Sequence, residues 1–240
     1  MNQTIGIIGY GKLGTAIAGR AEETGHRVLV SDDETHNKEV VRESGIVTLC
    51  IKPDKIFEVA DQIRENLNGT KVLSFMAATP LAKLRQTLDT KNVQRAMTTL
   101  GLDSIICTQG DADITEFCRK LTRGKLISTT DESQVDMFTA AVGCLPGIAA
   151  WWYKNYRKAA DEWLKKWEDF LRTHLAVDRE LLEKIIKDTK EKGEYEEEIR
   201  RVKTPGGITE AMLTTLEKDC FSKFEDILSA AMKRTEEIAR

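Results

Sequence analysis

"IGIIGYGKLG", Ile5 to Gly14, joins a short apolar run to three glycines spaced G-x-G-x-x-G. Ile5, Ile7 and Ile8 have the β-branched, uncharged character of a strand buried on both faces, while "KLGTAIAGRAEETG" from Lys12 has helical period. Gly9, Gly11 and Gly14 therefore fall at a strand-to-helix junction. There Gly9 allows a tight turn, Gly11 lets the backbone approach a pyrophosphate, and Gly14 lets the helix pack closely on the sheet. The helix start, at Lys12 and Leu13, adds free N–H groups and a partial positive charge suited to phosphate.

The next apolar run, "HRVLVS", ends in "VSDDE", which places Asp32 about 20 residues past the loop. A carboxylate there accepts hydrogen bonds from ribose hydroxyls and repels a 2′-phosphate. The expected cofactor is thus NAD(H) in preference to NADP(H).

Alternation of strand and helix signals continues to about residue 130. Apparent strands are "TIGIIG", "HRVLVS", "IVTLCI", "KVLSFM", "NVQRAM", "DSIICTQ" and "KLIST", with helical stretches such as "DKIFEVADQIRENLNG", ending on a glycine cap signal, between several of them. This pattern predicts βαβ units and a mostly parallel sheet over residues 1–130. After "STTDESQ" strand signals stop. Asp131 and Gln134 have the spacing of a helix N-terminal box, and residues 131–240 read as all-helical. Trp152, Tyr156, Ala159, Ala160, Trp163, Leu164, Trp167, Phe170 and Leu171 form one stripe at helical spacing, more apolar surface than the short helices after it are expected to cover. Between Asp178 and Arg201, rich in Glu and Lys, Leu181, Leu182, Ile185 and Ile186 keep a narrow apolar face, as in solvated amphipathic helices.

The 240 residues include 36 basic and 39 acidic side chains, a formal net charge of -3, and 41% apolar residues. So balanced a charge gives no long-range attraction to nucleic acid or anionic lipid, which leaves small molecules and protein as the expected partners. Five cysteines (Cys50, Cys107, Cys118, Cys144, Cys220) are widely spaced and form no CxxC pair. They imply reduced thiols, with neither a metal site nor a disulfide framework. The N-terminus lacks the basic region of a signal peptide, so a cytoplasmic location is expected. "MFTAAVGCLPGIAAWWY", Met137 to Tyr153, carries no charge, but Gly143, Pro146 and Gly147 interrupt it. It reads as buried core and not as a membrane anchor.

A second glycine pair lies in "VKTPGGITEAM". Pro205 suits the first turn of a helix, Gly206 and Gly207 leave two N–H groups unscreened for a carboxylate, and Thr209 adds a hydroxyl one turn in. A plain helix start capped by Thr204 is the alternative.

Taken together, these stretches resemble pyrroline-5-carboxylate reductases from end to end. "IGIIGYGKLGTAIAGR" is similar to that family's opening fingerprint, "LCIKPDKI" to its "VKP" turn, "VLSFMAATPLAKL" to its "VSIAAGV..L" turn, "QRAM" to its "RAMPN", and "TPGGITEAMLTTLE" to its "SPGGTT...LE". The resemblance implies an α/β fold: an N-terminal Rossmann-type dinucleotide-binding domain, then an all-α dimerisation domain that completes a pocket near the subunit junction. It implies reduction of 1-pyrroline-5-carboxylate to L-proline by a homodimer or higher homo-oligomer. Residue by residue, Gly9, Gly11 and Gly14 match the dinucleotide loop; Lys52 and Pro53, and Ala77 and Ala78, match the two turns beside the cofactor. Gly206, Gly207 and Thr209 match the loop that holds the substrate carboxylate and reaches the ring nitrogen, with Thr209 the expected proton donor. Gly143 and Cys144 fall in the stretch matching "SGSGPAY", which also lines the substrate site.

Departures from the family concern the substrate end. Thr98, Thr99, Leu100 and Gly101 stand where "PNTP" is found, and Val142, Gly143, Cys144, Leu145, Pro146, Gly147 and Ile148 replace "SGSGPAY" with loss of hydroxyls. A more apolar pocket follows. Two other readings are a hydroxyacid dehydrogenase using Lys154 as acid/base, about a turn beyond that family's glycine-to-lysine spacing, and a dinucleotide-binding sensor or partner subunit without catalysis.

Overall fold

The computed structural model describes residues 3–32, 36–174, 179–219 and 224–239; Cys220 lies outside them. Two compact units, Met1–Val135 and Asp136–Ile238, divide the chain just past the boundary expected at residue 130.

In the first unit the order is β1 (Thr4–Ile8), α1 (Lys12–Glu23), β2 (Arg27–Ser31), α2 (Asn37–Glu43), β3 (Ile46–Leu49), α3 (Ile56–Ile63), β4 (Lys71–Ser74), α4 (Leu81–Leu88), β5 (Val93–Thr98), β6 (Ser104–Thr108), α5 (Ala112–Leu121) and β7 (Lys125–Thr129). They build one seven-stranded sheet ordered β2-β1-β3-β4-β5-β6-β7. Every neighbouring pair is parallel except β5 and β6, which meet antiparallel. Alternation along the strands supplies two cores. Ile5, Ile7 and Leu73 pack with Ile17 and Ala21 of α1 and Phe117 of α5, while Ile8, Val47 and Val72 pack with Val41, Ile56, Ile63 and Leu84 of α2, α3 and α4. With both faces covered, the inner strands β1, β3 and β4 are buried along nearly their whole length and read clearly in the sequence as apolar runs, whereas the edge strands β2 and β7 are partly exposed.

Local chemistry sets the ends of several elements. Asp111 caps α5, its carboxylate accepting from the N–H groups of Asp113 and Ile114. α3 stops at Ile63 and tightens into a 3₁₀ turn over Arg64–Asn66, so the "DKIFEVADQIRENLNG" helix is shorter than its pattern; Gly69, φ +80°, comes three residues after that turn. Asp131 accepts hydrogen bonds from the Ser133 N–H (3.0 Å) and hydroxyl (2.7 Å), and its own N–H donates to the Thr129 hydroxyl. That departs from the reciprocal box expected with Gln134.

The helices after β7 are α6 (Ser133–Phe138), α7 (Leu145–Asn155), α8 (Ala160–His174), α9 (Arg179–Lys192), α10 (Tyr195–Val202), α11 (Ile208–Lys218) and α12 (Phe224–Ala239). A π-helical turn over Thr139–Gly143 links α6 to α7. Among the described residues this one helix, Ser133–Asn155, is long and apolar enough to cross a membrane, and 78% of its most apolar window is buried inside the structure. α7 is the hub of the second unit, packed against α8, α9, α10 and α11.

The stripe from Trp152 to Leu171 is not one helix. The chain breaks at Tyr156 (φ −139°, ψ 48°), where Asn155 closes α7 by donating its side-chain amide to the Trp151 carbonyl at 2.8 Å. Eleven residues of straight helix would separate Trp152 from Trp163 by roughly 16 Å. The break instead brings their rings to 4.4 Å, stacked at 26°, and Trp163 stacks in turn on Trp167 at 5.6 Å. Phe224 of α12 meets both Trp163 and Trp167 edge-on. Trp152, Leu164, Trp167 and Leu171 are buried, so the chain's own helices cover most of a face that the sequence suggests a second subunit must cover.

Candidate functional site

Three loops leave the C-terminal ends of β1, β3 and β4, which are neighbours in the sheet. From β1 the chain passes to β2 on one side, and β3 and β4 lie on the other; the C-terminal edge at such a reversal is where open α/β sheets take ligands. The Gly9 N–H donates to the Ser31 carbonyl at 2.9 Å, and the Cys50 N–H to the Ile8 carbonyl at 2.8 Å. These bonds fix the β1 loop between its two neighbours.

Each glycine of the loop has a distinct constraint. Gly9 has φ +94°, and a Cβ there would stand 2.7 Å from the Cys50 carbonyl oxygen. At Gly14 a Cβ would come to 2.0 Å from the Gly9 carbonyl oxygen, so α1 can lie this close to the turn only without one. Gly11, the N-cap of α1, faces open space, with nothing within 4 Å of its would-be Cβ and no side chain capping the helix. A start left open at Lys12 and Leu13, with room above Gly11, fits the pyrophosphate of a dinucleotide. Asp32 is exposed directly after β2.

Lys52, exposed, and half-buried Pro53 begin the turn after β3, Pro53 opening a short 3₁₀ helix. Ala77 and Ala78 form the turn after β4. Ala78 is buried with φ +52°, a left-handed conformation that costs a residue with a Cβ about 1–2 kcal/mol. Strain of this kind gathers where a loop must hold a particular shape against a ligand. The segment Thr98–Gly101 serves another purpose: the Thr98 hydroxyl donates to the Ser104 carbonyl at 2.8 Å, and Thr99 pairs with Asp103 at 3.1 Å, closing the β5–β6 connection.

In the second unit the structure brings Thr209 and Cys144 together. The Thr209 hydroxyl lies 3.2 Å from the Cys144 thiol, and both side chains are buried. Burial pushes the Cys144 thiol up to about 11, so it stays protonated. Gly147 makes this meeting possible, because a Cβ there would stand 2.6 Å from Val202 of α10 and 3.2 Å from the Thr209 methyl. Gly143, half-buried, ends the π turn just before Cys144, and such turns recur at functional sites. Lys154 stands at the end of α7, half-exposed, paired with Glu196 at 2.9 Å.

The loop before α11 departs from expectation. Pro205 precedes the helix: Thr204–Gly207 is a turn with Pro205 second and Gly206 third at φ +68°, closed by the Gly207 N–H donating to the Thr204 carbonyl at 2.8 Å. α11 starts only at Ile208, and Gly207, not Thr204, is its cap. Nor are the two glycine amides free. That of Gly207 closes the turn, and that of Gly206 donates to the Glu210 carboxylate at 2.7 Å. This N–H, with Lys203, holds the Glu210 carboxyl below its ordinary range. Nothing in the residue spacing marks Glu210 beforehand, beyond its position three residues into the helix.

Arg95 also escapes a sequence reading. It is 1% exposed in β5, and its guanidinium pairs at 2.7 Å with Glu132, which accepts the N–H of Leu81 at 2.6 Å and so ties the start of α4 to the sheet. Cys50, Cys107, Cys118 and Cys144 are free thiols. Among the described residues no group of three or more His, Cys, Asp or Glu side chains is placed to hold a metal ion.

Residues 4–78 match the family model described as NADP oxidoreductase, coenzyme F420-dependent. Among solved structures, a pyrroline carboxylate reductase of Plasmodium falciparum with NADP bound is similar at TM-score 0.61 and 19% identity, over 100% of this chain and 99% of that one. A pyrroline-5-carboxylate reductase of Coxiella burnetii follows at 0.60 and 17%, covering 100% of both chains. That of Streptococcus pyogenes gives 0.56 and 18%, over 99% and 98%. No match is found among curated proteins. The chain has the fold of these reductases over its full length, in agreement with the resemblance in its sequence motifs.

Proposed function

We propose that the chain is an NAD(P)H-dependent reductase of a cyclic imine, the reaction implied by the resemblance being 1-pyrroline-5-carboxylate to L-proline. The observation that carries the dinucleotide part of the reading is the open cradle at Gly11, between a turn and a helix start whose packing requires Gly9 and Gly14; the imine rests on the resemblance. Bound there, the nicotinamide cofactor supplies the hydride. Lys12, Leu13 and Gly14 offer N–H groups to its phosphates, the turns at Lys52–Pro53 and Ala77–Ala78 flank it, and Asp32 receives the ribose. The fit extends to either dinucleotide, and the preference for NAD(H) rests on Asp32, while the relative from Plasmodium holds NADP.

As C=N becomes a secondary amine, the nitrogen gains one proton. Thr209, or a water bound to it, is the assigned donor; a proton given by its hydroxyl is replaced from that water, because the buried Cys144 thiol 3.2 Å away holds its own. Gly143 and Cys144 line the same substrate end. A homodimer belongs to this reading on the resemblance alone, since the aromatic face is largely covered within one chain.

A protein that binds the dinucleotide without catalysis would keep the glycine cradle and show no turnover. The deciding experiment is oxidation of NADH and of NADPH in the presence of 1-pyrroline-5-carboxylate and 1-pyrroline. Imine-dependent oxidation supports the reductase; tight dinucleotide binding with no oxidation by any imine removes it.

A further inference from the structure

We propose that Glu210 fills the anion position at the Thr204–Gly207 turn and thereby makes the chain select an imine without a carboxylate. The inference rests on the reductase reading, keeps the cyclic imine, and departs from the carboxylated ring that the resemblance implies. The closure of such a turn uses the Gly207 N–H, which donates to Thr204, and leaves the Gly206 N–H for an anion; here that N–H donates to Glu210 Oε2 at 2.7 Å. The other carboxylate oxygen, Oε1, faces the Lys203 ammonium at 3.3 Å. Arg234 holds the far side of the same turn, its Nε donating to the Gly206 carbonyl at 2.6 Å, and adds positive field. The chain thus carries its own carboxylate on the donor and the cation that a substrate carboxylate would need.

An incoming carboxylate has to break the Gly206–Glu210 bond and then lie beside the displaced negative charge. An uncharged ring substituent meets neither cost. The neighbouring segment agrees with this, since Ala140, Ala141, Val142, Leu145 and Ile148, on either side of the Cys144 that meets Thr209, are apolar and buried. A charge-assisted hydrogen bond of this type is worth roughly 10- to 100-fold in binding, which sets the size of the discrimination. Glu210 also fastens the start of α11 by this bond, so a test has to separate substrate choice from helix capping.

Two variants do so. Glu210→Gln keeps an acceptor for the Gly206 N–H and removes the charge; Glu210→Ala removes both. The quantity to measure is the ratio of kcat/KM for 1-pyrroline to that for 1-pyrroline-5-carboxylate, two rings that differ by the carboxylate. In the unmodified protein the ratio should favour 1-pyrroline, and both variants should shift it toward the carboxylated ring by about 10-fold or more. Preference for 1-pyrroline-5-carboxylate in the unmodified protein overturns the inference, as does an unchanged ratio in both folded variants. If none of the three proteins reduces either imine, the reductase reading fails separately. Calorimetry with L-proline then decides the occupancy of the turn: binding about 10-fold tighter in Glu210→Ala supports it, and equal binding refutes it.

Discussion

Replacing two glycines of one loop by alanine should give opposite defects. At Gly14 the new methyl would start 2.0 Å from the Gly9 carbonyl oxygen, a backbone atom, so turn and helix have to part by about 1 Å. Overpacking of this kind costs about 1–3 kcal/mol, and for a chain of this size each kcal/mol lowers the melting temperature by about 2–4 °C. Gly14→Ala should therefore melt roughly 2–12 °C below the unmodified protein. At Gly11 the methyl enters open space, on a backbone (φ −76°, ψ −165°) that alanine adopts without strain. Alanine is a poorer N-cap than glycine, but it also restricts the unfolded chain, and the two nearly offset to within about 0.5 kcal/mol. Gly11→Ala should fold normally and bind NADH and NADPH about 10-fold or more weakly, because its methyl fills the space above the helix start. Melting curves by backbone circular dichroism and titrations by nicotinamide fluorescence measure the two effects. Unchanged dinucleotide affinity in Gly11→Ala, or equal destabilisation of the two variants, would refute the assignment of the cradle.

Other substitutions probe single contacts. Thr209→Ala should lower imine turnover by roughly 100-fold with little change in dinucleotide affinity, while Thr209→Ser keeps most of the rate; steady-state kinetics with matched titrations would show it, and full activity in the alanine variant would reduce Thr209 to a packing residue. Asp32→Ser should narrow the preference of NADH over NADPH by removing repulsion of the 2′-phosphate, and an unmodified protein that binds NADPH more tightly would contradict the role of Asp32. His26 is buried with its ring edge-on to Phe117, and desolvation holds its pKa below 6.5. A depressed pKa favours the neutral ring in the fold, so its contribution is complete above 6.5 and is lost as pH falls through the folded value, with a slope of at most about 1.4 kcal/mol per pH unit. In urea titrations on the acid side of 6.5, His26→Phe should lose stability less steeply than the unmodified protein; parallel slopes would exclude His26 as the cause.

Much of the first unit is legible in the chain because its physics is local. Strands buried on both faces show as apolar runs, and a loop that needs Gly9 and Gly14 for its packing and keeps open space at Gly11 shows as three glycines. The second unit is harder to read. The periodicity of Trp152 through Leu171 runs on across Tyr156–Ala159, because residues that fold back onto the same core keep an apolar phase on both sides of a break. Side-chain reach is equally hidden: that Glu210 turns back to the Gly206 amide, or that Arg95 lies buried against Glu132, depends on contacts that no spacing encodes. Cys144 and Thr209 are 65 residues apart and meet because Gly147 lets α10 and α11 approach α7.

The stacked indoles of α7 and α8 give the protein a one-sided optical signature. Its four tryptophans, Trp151, Trp152, Trp163 and Trp167, all belong to the helical unit, and the seven-stranded unit contains none. Indole emission therefore follows the loosening of α7 from α8 and is blind to the sheet, whose melting registers only in backbone dichroism. Rings as near as 4.4 Å couple their excited states, so the near-ultraviolet dichroism of this chain reports the fold-back at Tyr156 more directly than it reports helix content.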